Sequence, residues 1–84
     1  MERSAKRYPV TLPVTLVDGA GFTRDVSTSG IFFETERAHS VGETVGLSAS
    51  LDGATVRYEG SVVRVERING RFGVAVALTS FRFD

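Results

Sequence analysis

The sequence predicts an all-β protein, a six-stranded antiparallel β-barrel with a flexible N-terminal arm. Three observations predict it. Apolar residues recur with period two along most of the 84-residue chain. Glycine-bearing turn signals separate the alternating runs. No stretch carries a sustained helical period. Few strands with two-sided character are best served by closure, because a closed barrel leaves no edge to aggregate.

Val10, Leu12, Val14 and Leu16 alternate with Thr11, Pro13 and Thr15, which reads as a half-buried first strand. Pro13 lacks an N–H and belongs at an edge or a bulge. Asp18-Gly19-Ala20-Gly21 reads as a turn. Phe22 to Ser27 is a second strand, with Phe22, Arg24 and Val26 on one face and Thr23, Asp25 and Ser27 on the other. Thr28-Ser29-Gly30 breaks it, and Ile31-Phe32-Phe33 is a short third strand. The polar stretch 36–43 reads as a loop.

Val45, Leu47, Ala49 and Leu51 mark the fourth strand, and Asp52-Gly53 is a hairpin turn. The fifth strand spans 55–66. Its apolar phase changes between Val56/Tyr58 and Val63/Val65, which places a bulge or bend at Gly60. Asn69-Gly70 is a second hairpin turn, and Phe72, Val74, Val76 and Leu78 form the sixth strand. The chain thus divides into an arm over 1–7, a barrel over 8–78 and a tail over 79–84, within a single domain. The tail carries Phe81 and Phe83, two aromatics with little chain left to cover them.

Composition narrows the function classes. Formal net charge is zero, so there is no global attraction to a nucleic acid polymer or an anionic membrane. There is no cysteine, which removes disulfide and thiolate chemistry. No apolar run approaches the roughly 20 residues that span a bilayer as a helix, and no apolar leader follows the N-terminal charges. No direct membrane insertion and a cytoplasmic location are expected. Nine of the ten cationic residues are arginine, the cation of planar and bidentate contacts.

Catalysis finds little support. The one histidine, His39, lies in the polar loop, where a solvated side chain is expected. It has no visible Ser-His-Asp partners, and one histidine with scattered carboxylates makes a poor metal site. Glu34 and Glu36 share a strand face but have no apolar pocket in the sequence to raise a pKa. Neither GxxxxGK[ST] nor GxGxxG is present. The expectation is a binding protein and not an enzyme, with no metal and no cofactor.

Two groups remain. Arg3 and Arg7 stand four apart in the arm, with Lys6 between them. Two guanidinium planes can stack on a purine, pair with guanine O6 and N7, or clamp a phosphate. Alone, the pattern reads as a solvated charged terminus. The second group is Asp25-Val26-Ser27-Thr28-Ser29-Gly30. An ionised Asp25 only accepts hydrogen bonds and suits the N1–H and N2–H₂ edge of guanine, while Ser27 both donates and accepts. Gly30 admits a positive φ or a close backbone approach. Alone, this group reads as a capped turn.

Together, in this order and on six strands, the two groups resemble the PilZ domain family. That family is marked by RxxxR in an N-terminal arm and [DN]xSxxG at the end of an early barrel strand. Tyr8-Pro9-Val10, Ile31-Phe32-Phe33 and Phe72-Gly73-Val74-Ala75-Val76 are similar as well. The resemblance implies a cyclic di-GMP receptor. Arg3 and Arg7 would grip guanine and phosphate as the arm folds over the ligand. Asp25 and Ser27 would meet a guanine from the barrel surface, Gly30 would hold the turn open, and Lys6 and Thr28 would be auxiliary contacts. The ordered arm would then signal to an unidentified downstream protein or attached domain. A further arginine is common in the family just before RxxxR, where this chain has Glu2, so one ligand and an intercalated pair both stay open. Two rival readings carry different chemistry: a protein-interaction barrel that binds no nucleotide, using Phe81 and Phe83, and a single-stranded nucleic acid binder, which would need a basic groove interleaved with aromatics.

Overall fold

A computed structural model describes residues 6–83. Six strands follow one another: β1 (Pro13–Leu16), β2 (Gly19–Val26), β3 (Gly30–Thr35), β4 (Thr44–Leu51), β5 (Ala54–Ile68) and β6 (Arg71–Phe83). All pairings are antiparallel. The sheet closes into a barrel in the order β1-β2-β3-β6-β5-β4. Among the described residues no helix is long and apolar enough to cross a membrane.

The inward phase of each strand fills the barrel. Val14, Leu16, Ile31, Phe33, Val62 and Val74 are among the buried core residues, and Phe33 is wholly enclosed. Burying side chains of this size stabilises the fold by about 1.5–3 kcal/mol each. Both hairpin signals act as expected. Asp52 and Gly53 have φ of 51° and 81°, and Asn69 and Gly70 have φ of 50° and 80°, the paired positive values that match the twist of the flanking strands.

The first strand is shorter than its alternation suggests. Ladder pairing begins at Pro13, which has no N–H and sits at the strand's first position. The preceding residues are joined to β2 by scattered backbone bonds, among them the Thr23 N–H donating to the Leu12 carbonyl at 2.8 Å, and by a side chain. The buried Thr23 hydroxyl donates to the Val10 carbonyl at 2.5 Å and accepts from the Leu12 N–H at 2.8 Å. Leu16 pairs directly with Gly19, so the turn lies at Val17-Asp18 and the glycines read as turn residues belong to β2.

Three further expectations are corrected. The pairing of β2 with β3 skips Arg24, since Thr23 faces Phe33 and Asp25 faces Phe32. This bulge reverses the phase. Val26 joins Thr23 on the core side, opposite the buried Ile31, and Asp25 moves to the outer face, so Asp25 does not share a face with Thr23. The phase change in β5 is at Val63, which is left over between the pairs Val62–Val76 and Arg64–Ala75. Gly60 stays in phase with Val56, Tyr58 and Val62. The bulge beside it falls on the opposite strand at Thr79, because Glu59 pairs with Ser80 and Gly60 with Leu78. Gly60 serves a close approach: a Cβ there would stand 2.2 Å from the Ala77 carbonyl oxygen. Finally, residues 79–83 are strand and not tail, since β6 runs on beside β5 to the pair Val56–Phe83.

Candidate functional site

The site is assembled by an N-terminal segment laid along the end of β2. Tyr8 and Val26 exchange both backbone hydrogen bonds, at 2.8 and 2.9 Å. That bridge fixes Arg7 beside Asp25. The bulge at Arg24 turns the Asp25 carboxylate outward to meet it. The Arg7 Nε–H donates to Asp25 Oδ1 at 2.7 Å, and the Arg7 Nη2 group contacts the same oxygen. Both side chains stay accessible, Arg7 at 51% and Asp25 at 29%. The pair is an ion pair at the surface, available to exchange partners.

Beyond Asp25 the chain makes a tight bend held by Ser27. The Ser27 N–H donates to the Gly30 carbonyl at 2.8 Å. The buried Ser27 Oγ accepts from the Gly30 N–H at 3.1 Å and the Ser29 N–H at 3.2 Å. Its hydroxyl therefore spends its bonding capacity inside the bend. Gly30 has no positive φ. Its requirement is proximity, since a Cβ would lie 3.0 Å from the Val76 carbonyl oxygen. The Ser29 carbonyl accepts from the Leu78 N–H at 3.0 Å, which ties the bend to β6. Thr28 and Lys6 are exposed on either side. Arg3 lies outside the described residues.

Residues outside the two motifs form two further clusters. Cross-strand register sets Asp25, Phe32, Ala75 and Arg64 in one row on the outer face. The Arg64 guanidinium stands 5.4 Å from the Phe32 ring centroid, a cation–π distance. Phe32 sits in an apolar run that looks like core from sequence, and only strict alternation separates it from Ile31 and Phe33. A second cluster surrounds Glu34, whose carboxylate is buried. Arg24 pairs with it directly, Arg71 Nε lies 3.5 Å from its Oε1, and Arg71 also reaches Glu36 at 3.3 Å and stacks over Phe22 at 5.1 Å.

His39 departs from expectation. Its side chain is only 3% exposed, packs edge-on against Phe33 at 6.3 Å, and holds Glu43 Oε2 at 3.0 Å through Nδ1. The loop folds over it because Glu43 also accepts from the Ser40 N–H at 2.9 Å. These bonds, the backbone one foremost, hold the Glu43 carboxyl below its ordinary value of 4.5. A groove of about 590 Å³ is lined by residues of β1, β4, β5 and the end of β6, and none of the predicted ligand residues that the structure describes lines it. At the Arg7–Asp25 surface an accessible guanidinium and an accessible carboxylate stand together.

An arginine-bearing N-terminal segment, an Asp-x-Ser-x-x-Gly bend and a closed six-stranded barrel are thus joined in one chain. The PilZ domain model matches residues 2–83. The chain belongs to the PilZ domain family. PilZ domains are binding and effector modules, generally for cyclic di-GMP. Comparison with curated proteins yields no match. In this PilZ domain, Arg7 and the Asp25–Gly30 bend meet on the barrel surface.

Proposed function

We propose that this PilZ domain is a cyclic di-GMP receptor that converts ligand binding into a rearranged N-terminal segment, which a downstream protein or attached domain then reads. One observation carries the proposal. Arg7 and Asp25, eighteen residues apart and from different motifs, touch at the surface beside the Ser27–Gly30 bend. A guanine supplies what each would need on parting. Its N1–H and N2–H₂ edge gives donors to Asp25, while its O6 and N7, or the neighbouring phosphate, accept from Arg7. Arg3, the other arginine of the motif, would add a second grip on guanine or phosphate. Exchange is inexpensive, because an exposed ion pair is worth about 0–1 kcal/mol. Fixing the arm costs about 1–2 kcal/mol per residue, and charge-assisted hydrogen bonds of about 1.5–3 kcal/mol each offset it.

Titration calorimetry with cyclic di-GMP tests this on the wild type and on Arg7→Ala. The proposal expects binding by the wild type and a clear loss in the variant; equal affinities would remove Arg7 from the site. The rival reading, a protein-interaction barrel, draws on the exposed Phe81 and Phe83. A thermal-shift panel of cyclic dinucleotides separates the two, since only a binder gains stability with ligand.

A further inference from the structure

The end of β6 is an open strand edge. β3 accompanies β6 only over Phe72–Ala77, and the Leu78 N–H is already taken by Ser29. From Thr79 to Phe83 the strand keeps β5 on one side and has no backbone partner on the other among the described residues. Such an edge is a template for another strand. It also carries exposed aromatics. Phe81 and Phe83 are 51% and 70% exposed, stand 6.3 Å apart edge to face, and Phe81 tilts against Tyr58 at 6.2 Å.

We propose that this edge pairs antiparallel with the same edge of a second copy of the chain, about a two-fold axis at Phe81. The occupant follows from the β5–β6 register, in which Tyr58 faces Phe81, Arg57 faces Arg82 and Glu59 faces Ser80. The axis sets Phe81 opposite its own equivalent and Arg82 opposite the second copy's Ser80. On one face the row becomes Tyr58, Phe81, Phe81, Tyr58, which packs the two exposed Phe81 rings against each other beside the half-buried tyrosines. On the other it becomes Arg57, Arg82, Ser80, Glu59. Within one copy Arg82 stands directly opposite Arg57, so its own β5 neighbour offers it no carboxylate. Across the axis it reaches over the small Ser80 to the carboxylate of Glu59, about 10 Å away at two strand spacings. Symmetry repeats the contact. Neighbouring registers fail: an axis at Arg82 sets the arginines face to face, and an axis at Ser80 needs the Leu78 edge that Ser29 occupies.

Sedimentation equilibrium over a concentration series tests the proposal on the wild type, Phe81→Asp, Arg82→Glu, and the double variant Glu59→Arg with Arg82→Glu, with circular dichroism to check folding. The wild type should form dimers. Arg82→Glu should weaken them by about tenfold or more, the double variant should recover them, and Phe81→Asp should be monomeric. Glu59 and Arg82 are both exposed, so the charge swap decides the matter even where Phe81→Asp does not fold. A wild type monomeric at every concentration would overturn the proposal and leave the edge to a different strand. A dimer indifferent to Arg82→Glu, or one that the double variant does not restore, would overturn it equally.

Discussion

Arg7 and Asp25 hold each other across the mouth of the Ser27–Gly30 bend, with the Arg7 Nε–H donating to Asp25 Oδ1 at 2.7 Å. The contact is possible because the Tyr8–Val26 bridge lays the N-terminal segment along β2 and the Arg24 bulge turns Asp25 outward. The two groups proposed to engage a guanine dinucleotide are thus paired with one another.

Stability and binding should separate at this pair. Arg7→Ala removes a half-exposed partner, so unfolding free energy in urea should change by about 0–1 kcal/mol. Cyclic di-GMP binding should lose about 1–3 kcal/mol, the worth of one bidentate base contact. Calorimetry and urea titration on the same preparation check both halves.

The bend should behave as a structural element with its own cost. Ser27→Ala leaves the buried Gly30 N–H without its side-chain acceptor, a loss of about 1–3 kcal/mol. Gly60→Ala should be worse than Gly30→Ala, because its Cβ would meet the Ala77 carbonyl oxygen at 2.2 Å while that of Gly30 would meet Val76 at 3.0 Å. Urea denaturation of the three variants gives the ranking.

Glu34 is a buried carboxylate that depends on Arg24 and Arg71. Replacing both arginines by alanine should destabilise the barrel by about 1–3 kcal/mol, below the full cost of breaking a buried pair because the arginines themselves are partly solvated. Adding Glu34→Gln to that variant should recover part of the loss. Thermal and urea unfolding of the three chains read this out.

Acid should loosen the His39 loop. Glu43 has its pKa lowered in the folded state, first by the Ser40 backbone hydrogen bond and then by His39. Its contribution to stability is complete above its ordinary value of 4.5 and is lost as pH falls through the lower folded value. Unfolding temperature should therefore fall as the pH drops from 4.5 through that lower value, and Glu43→Gln should flatten this part of the profile.

Much of this was legible in the chain. Asp52-Gly53 and Asn69-Gly70 announce their hairpins because few residues tolerate paired positive φ. The pairing of the arginine segment with the Asp25 bend is visible as two motifs in order. The bulge at Arg24 is not, since Phe22, Arg24 and Val26 look like an ordinary alternation until the register with Phe33 and Phe32 is known. The burial of His39 is hidden for a similar reason: its packing partner, Phe33, is remote in sequence. The continuation of β6 to Phe83 depends on how far β5 extends, which no local signal near Phe81 reports.

The most direct test of ligand capture is an amide NMR titration with cyclic di-GMP. At saturation the signals of Lys6, Arg7, Tyr8 and the Asp25–Gly30 bend should shift as one cluster, while those of the Asn69-Gly70 hairpin stay in place. Unmoved signals at Arg7 and across the bend would contradict the account.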